Sequence, residues 1–333
     1  MVRVSIKDIA QELGISTASV SLVLNGKEKE GRVGKVLAEK VRQKAKEMNY
    51  EPNNLARGLR MGCSNTIGFV VADISNVFFA NLAFHIQEQA ESLGYSVIIT
   101  NTNESNFKME KMINVLKSRL VDGLIIVPTE HGNACIEDLV KKKMPVVLID
   151  RYFPKIQVNS VVVDNYNASR QAIEILINQG CRKIGVIIYK STLQHMADRE
   201  RGCIEMLKKH GIYEPALIKE IDYINISEDI AISIERLLSK ENKVDGIFFA
   251  TNTLSMLGIR QLLEANIKLP DDMKVVCFDK SDAFDFTTIP IPYIQQPIPE
   301  MGKIAVELLI EQIKKQSIEP KHLELQTTMK NLP

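Results

Sequence analysis

The sequence predicts an α/β protein in two parts, a small all-α head with helix-turn-helix spacing and a larger body of two doubly wound parallel sheets. Three observations predict it. Two short helical segments near the start lie three residues apart around Gly14. From Thr66 onward, short apolar runs alternate with amphipathic stretches, the pattern of buried parallel strands joined by right-handed helical crossovers. The charge is also uneven: residues 1–62 hold 12 Lys and Arg against 7 Asp and Glu, and the remainder holds 30 against 34. A basic head on a mildly acidic body suits a protein of which only the head meets phosphates.

In the head, Ser5 followed by Asp8 forms a capping box, after which Ile6, Ile9, Ala10 and Leu13 share one helical face and Gly14 ends the helix. Ser16 caps a second helix whose Val20, Val23 and Leu24 face inward, leaving Thr17, Ala18, Ser21, Leu22 and Asn25 outward. So tight a turn makes the helices cross steeply and needs a small residue, Ala10, at the contact. "VLAEKVRQKAKEMNY" adds Leu37, Val41, Ala45 and Met48 to close a three-helix core. After Pro52, Asn53 can cap a short segment with Ala56 and Leu59 on one side and Arg57 and Arg60 on the other. Seven residues make a marginal helix alone, so this segment should fold only when held between a partner chain and DNA. There Leu59 could wedge into a base step while the arginines meet phosphates.

The bulk composition bounds the rest. With 333 residues, 45% hydrophobic and 25% charged, the chain is long enough for two or three compact units and is neither disordered nor fibrous. "MVRVSIKDIAQELG" lacks the apolar core of a signal peptide, and runs such as "GLIIVP" are too short to span a bilayer, so a cytoplasmic protein without a membrane partner is expected. Cys63, Cys135, Cys181, Cys203 and Cys277 are read as reduced thiols, and His85, His131, His195, His210 and His322 as isolated residues, so neither metal nor cofactor is expected.

"SIKDIAQELGISTASVSLVLNG", "NYEPNNLARGLR" and "NTIGFVVADISNVFF", in that order, resemble the LacI/GalR family of bacterial transcription regulators, and the resemblance runs essentially from end to end. It implies a homodimer whose helix-turn-helix units each read half of a palindromic operator in double-stranded DNA, while paired hinge helices kink its centre through the minor groove. It also implies a periplasmic-binding-protein-like (type I) core. The expected domains are 1–50 for the head, 51–64 for the hinge and linker, and 65–333 for the effector-binding and dimerisation body. Within the body, one lobe takes about 65–162 and 290–322, and the other about 163–289 and 323–333. Carried over residue by residue, Thr17, Ala18 and Leu22 stand where family members touch base edges, with Ser16, Ser21 and Asn25 near phosphates. Where this chain has Leu22 the family commonly has arginine, which grips guanine O6 and N7 bidentately, whereas leucine offers only apolar contact to a group such as a thymine methyl. The expectation is an altered operator at that base pair, with more weight on phosphates, hinge and DNA shape. The loop "GKEKEGR" is three residues longer than the common family spacing, and Gly34 replaces the usual capping serine.

In open parallel sheets, ligands sit beyond the carboxyl ends of the strands. The residues just past the apolar runs are Asp73, Phe78, Phe79, Asp150, Arg151, Asn252 and Asp279, joined by Arg199 from "DRERG" at the head of a helix. Carboxylates, arginines, amides and an aromatic wall together suit a sugar, whose hydroxyls want donors and acceptors and whose ring wants an apolar face. "LIDR" and "RERG" are similar to stretches of periplasmic ribose-binding proteins, and Asn252, Asp279 and Gln296 match effector positions of the family. Val77, Thr253, Cys277 and Lys280 depart from its usual residues. Without tryptophan, ring stacking falls to Phe78, Phe79, Tyr189 or Phe248.

The leading expectation is a regulator, a repressor and not an enzyme, controlled by a small sugar between the lobes. The alternatives are control by a protein partner, a cytoplasmic sugar-binding protein, and a sugar kinase or dehydrogenase. The last would need a Walker loop, a GxGxxG turn or an activated nucleophile, and none is present.

Overall fold

The computed structural model describes residues 4–50, 63–286, 291–315 and 319–330. It divides into two compact units, Met1–Ser64 and Asn65–Pro333.

In the first unit, α1 (Ile6–Leu13), α2 (Thr17–Leu24) and α3 (Lys35–Glu47) enclose a core of Ile9, Ala10, Val20, Val23, Ala38, Val41 and Ala45. Local chemistry sets the helix ends. The Ser5 hydroxyl accepts from the Asp8 N–H while the Asp8 carboxylate accepts from the Ser5 N–H at 2.7 Å, a complete capping box. Gly14 closes α1 at φ 64°, where a Cβ would be strained. Ser16 caps α2 by accepting from the Ser19 N–H, whereas Gly34 gives α3 no side-chain cap.

The second unit holds two six-stranded sheets. The first contains β1 (Thr66–Val71), β2 (Ser96–Asn101), β3 (Gly123–Ile126), β4 (Val146–Ile149), β5 (Asn159–Val163) and β11 (His322–Leu325) in the order 11-5-4-3-1-2, all parallel. Helices α4 (Val77–Ser92) and α11 (Ile298–Lys315) cover one face, and α5 (Asn106–Ser118) and α6 (Asn133–Lys141) the other. Along β1, Ile67, Phe69 and Val71 pack on the first face and Val70 on the second, so the strand is apolar on both sides. The second sheet contains β6 (Ile184–Tyr189), β7 (Ile218–Ile221), β8 (Gly246–Phe249), β9 (Lys274–Phe278), β10 (Tyr293–Gln295) and β12 (Thr328–Lys330) in the order 12-10-9-8-6-7. Only β12 is antiparallel, against β10. Here α7 (Asn165–Asn178) and α8 (Gln194–Lys209) cover one face, and α9 (Ile226–Leu238) and α10 (Asn252–Glu264) the other.

The chain passes between the sheets three times, after β5, after β10 and after β11. The last two passages fall at 296–297 and 326–327, later than the crossings read at 289–290 and 322–323. The cause is pairing that the sequence does not display: Tyr293 lies beside Cys277 in the second sheet, and Leu325 beside Val163 in the first. Both sheets reverse strand order at one point, between β1 and β3 and between β6 and β8, which is where ligands enter such folds.

Candidate functional site

The cleft between the two sheets is built from the turns after their strands. β4 runs straight into Asp150 and Arg151, which are 6% and 9% exposed, with Asp150 in the left-handed region at φ 68°. The Arg151 guanidinium meets both oxygens of Glu104 at 2.7 Å, donates to the Pro128 carbonyl at 3.4 Å, and holds its Nε 3.4 Å from Asp150 Oδ2. It also lies 5.7 Å from the centroid of Phe79. Burial works against the Arg151 charge, but Glu104 and Asp150 outweigh it and push its pKa up.

On the opposite wall, α8 begins beside the cleft and points Arg199 inward. Its Nε donates to Asn165 Oδ1 at 2.8 Å, Nη1 donates to the Ala250 carbonyl at 2.6 Å, and the guanidinium lies 3.4 Å from the Phe278 centroid. Burial pushes its pKa down to about 10, although Asp279 and Asp150 oppose the change. Asp279 follows β9 at φ 70° and accepts from Gln296 Nε2 at 2.8 Å. Burial raises its pKa to about 6 against the pull of Arg199. Asp150 is raised as well, by burial, with Arg151 and Arg199 opposing.

The structure thus brings Asp150, Arg151, Arg199, Asp279 and Gln296 to one cleft. Phe79 lies under Arg151 and, with Phe78 at 5.0 Å in an edge-on contact, belongs to the core of the first lobe. Asn252 donates to the Lys280 carbonyl at 2.9 Å, and Asp73 accepts from the N–H and hydroxyl of Ser75, so both order their own loops. Phe248 is fully buried beneath the second sheet's α7 and α8, away from any ligand face, because strand alternation turns it into the core.

Sequence reasoning missed several cleft residues. His195, read as isolated, is 5% exposed, and burial followed by Arg151 and Arg199 lowers its pKa well below the ordinary value. Its spacing of four from Arg199, on one helical face, was the available signal. Glu104 lies three residues past β2, at φ 56°. Tyr189, which the sequence did single out for ring stacking, ends β6 with its ring tilted against Tyr223 at 5.7 Å; Tyr223 was missed, and burial, Glu104 and Asp73 push its pKa up to about 12. Two contacts tie the walls together: Glu130 accepts from the Thr192 N–H, and Asn76 Nδ2 donates to the Thr253 hydroxyl at 3.4 Å. Within the cleft, His195 Nδ1, Gln296 Oε1 and Arg151 Nε are buried without a hydrogen-bond partner among the described residues. Arg151 Nε still has Asp150 Oδ2 at 3.4 Å; leaving the other two atoms unpaired costs roughly 1–3 kcal/mol each.

In the helix-turn-helix unit, Ser16, Thr17, Ala18 and Asn25 are exposed on α2, and Ser21 and Leu22 are half-buried. Ser16 Oγ lies 2.9 Å from Ser19 Oγ, and Asn25 Nδ2 donates to the Ser21 carbonyl at 2.7 Å. Leu22 rests on Gly31 of the following loop. Asn53, Ala56, Arg57, Leu59 and Arg60 lie outside the described residues. Among the described residues no cluster of metal-ligating side chains occurs, and no helix is long and apolar enough to cross a membrane.

A helix-turn-helix unit on a chain that also carries a two-sheet cleft of the sugar-receptor type defines a ligand-responsive DNA-binding regulator. Comparison with known proteins gives the family. Residues 5–53 match the profile "Bacterial regulatory proteins, lacI family", and residues 64–332 match "Periplasmic binding proteins and sugar binding domain of LacI family". The chain belongs to the LacI family of bacterial transcriptional regulators. It is 31% identical to the ribose operon repressor of Halalkalibacterium halodurans over 98% of this chain and 95% of that one. It is 28% identical to catabolite control protein A of Priestia megaterium, over 97% and 96%. Among solved structures, a lac repressor dimer bound to operator and an anti-inducer shares the fold with a TM-score of 0.85 at 21% identity, covering 98% of each chain.

Proposed function

We propose that the protein is a homodimeric, cytoplasmic repressor that binds a palindromic operator in double-stranded DNA and releases or tightens it when a small sugar or sugar derivative fills the cleft. It performs no catalysis and needs no cofactor. The hinge at 51–64 links the two activities, with Arg57 and Arg60 on phosphates and Leu59 wedged into a base step. The observation that carries the reading is the cleft's polar set: Asp150, Asp279 and Gln296 supply acceptors, Arg199 lies near the two acids, and His195 lies near Arg151 and Arg199. Arg151, fixed by Glu104, shapes the first wall. Asp73, Asn252, Phe78 and Phe79 support the turns around the ligand. Thr17 and Ala18 face base edges, and Ser16, Ser21 and Asn25 lie near phosphates. Names of relatives such as "Ribose operon repressor" support a sugar as effector.

The coupling needs one physical condition: the sugar must bind the DNA-competent and DNA-incompetent forms with different affinity. A thermal melt of the full chain against pentoses, hexoses, disaccharides and their phosphates tests the ligand. At roughly 100-fold excess over its dissociation constant, a true effector adds about 2.7 kcal/mol of apparent stability. If no sugar or sugar phosphate shifts the melt, the sugar reading fails and control by a protein partner takes its place.

A further inference from the structure

The recognition helix α2, TASVSLVL, carries no charged side chain. A protein that holds DNA must neutralise phosphates with cations, so the charge has to come from neighbouring elements. The loop after α2 is folded for this. Its backbone is closed by Lys27 N–H to the Leu22 carbonyl at 2.8 Å, Gly31 N–H to the Lys27 carbonyl at 3.0 Å, and Val33 N–H to the Glu28 carbonyl at 2.8 Å. Glu28 pairs with Arg42 of α3, which pins the loop to the helical core. Glu30 pairs with Lys27 at 3.5 Å. With both acids engaged, Lys29 and Arg32 stand exposed, and neither holds an ion pair among the described residues.

The seat of the loop is Leu22. A Cβ added at Gly31 would overlap Leu22 Cδ1 and lie 3.1 Å from its Cγ and Cδ2, so the leucine methyls cover the glycine backbone. An arginine at position 22 would be drawn to water or DNA instead, and a side chain at position 31 would displace the Leu22 methyls.

Resting on the DNA-binding reading above, we propose that the loop Lys27–Val33 is a second DNA-contacting element, held beside the recognition helix by Leu22, with Lys29 and Arg32 gripping the phosphate backbone. Leu22 is then a positioning residue and not a reader of a thymine methyl. The longer loop takes over the anchoring that a charged residue on the helix would give, at the cost of direct readout at that base pair.

The test uses full-length protein and DNA fragments that it selects from a random pool, with affinity measured against salt. Lys29→Ala and Arg32→Ala each flatten the log–log salt dependence by about 0.9 and weaken binding equally on matched and mismatched sites. Leu22→Ala unseats the loop, so it flattens the slope as well and leaves the preference at every base pair unchanged; Leu22→Met keeps an apolar rest for Gly31 and restores the slope. Unchanged slopes in Lys29→Ala and Arg32→Ala overturn the proposal, as does a Leu22→Ala protein that loses preference at one base pair while keeping its slope. Should Leu22→Ala fail to fold, the two surface variants decide alone. Wild-type protein that selects no DNA would instead bring down the DNA-binding reading itself.

Discussion

The two walls of the cleft each present one buried arginine, and the two are treated oppositely. Arg151 is clamped by both oxygens of Glu104 with Asp150 beside it, and its pKa rises. Arg199 is held by two neutral oxygens and lies on a ring, and its pKa falls to about 10. The folds of the two lobes are nearly the same, so the difference comes from partners supplied by individual turns. A cation already neutralised is a strut, whereas a cation held by dipoles and a ring still responds to what enters. Arg199, with Asp150 and Asp279 near it, is therefore the electrostatic pivot of the cleft.

Removing that pivot should have the largest effect. Arg199→Ala leaves the buried Asp279 without its counter-charge, while Asp150 keeps Arg151, which should destabilise the second unit by roughly 3–5 kcal/mol and abolish any sugar-induced stabilisation. Urea unfolding with and without the sugar found by thermal melt checks both. An intermediate effect is expected of Glu104→Gln, which keeps shape and removes charge at the strut. It should cost about 2 kcal/mol in the same unfolding experiment while the sugar still stabilises the protein. If the two variants behaved alike in sugar response, the contrast between the walls would be lost.

The smallest effect is on pH dependence. Burial raises Asp279 from an ordinary 3.8 to about 6, so its folded form prefers the proton. The stability it contributes is fully present below about 3.8 and is lost as pH rises through about 6. Asp279→Asn should remove this component, on the order of 1 kcal/mol after allowing for partial exposure, between pH 4 and 6. A stability curve with the same slope in wild type and variant would show that Asp279 titrates normally.

Legibility in the sequence followed the range of the interactions. The head was readable because its determinants are local: a capping box three residues apart, a left-handed glycine, and a 3.6-residue apolar period. Ala38 escaped because it adds little to that period, yet it is buried. Apolar runs announced β1 to β4, β6, β8 and β9, but not β5, which lies inside the first sheet. The edge strand "IKEI" was not announced either, since its half-exposed face leaves a mixed pattern, and β10 to β12 are too short to stand out. Position after a strand found Asp150, Arg151 and Asp279. It could not show that Glu104, 47 residues from Arg151, closes a fork on it, or that His195 is buried near both Arg151 and Arg199. It also could not show that Leu22 turns toward the inserted loop, because spacing does not reveal what a loop folds over.

The central claim is that occupancy of the cleft alters the grip on DNA. The direct measurement is the dissociation constant of the full-length protein for its selected DNA, taken at fixed salt with no sugar and with the stabilising sugar at saturation. The two values should differ by about 5- to 150-fold, and DNA should change the sugar's affinity by the same factor. Equal constants, with the cleft demonstrably filled, would contradict the account.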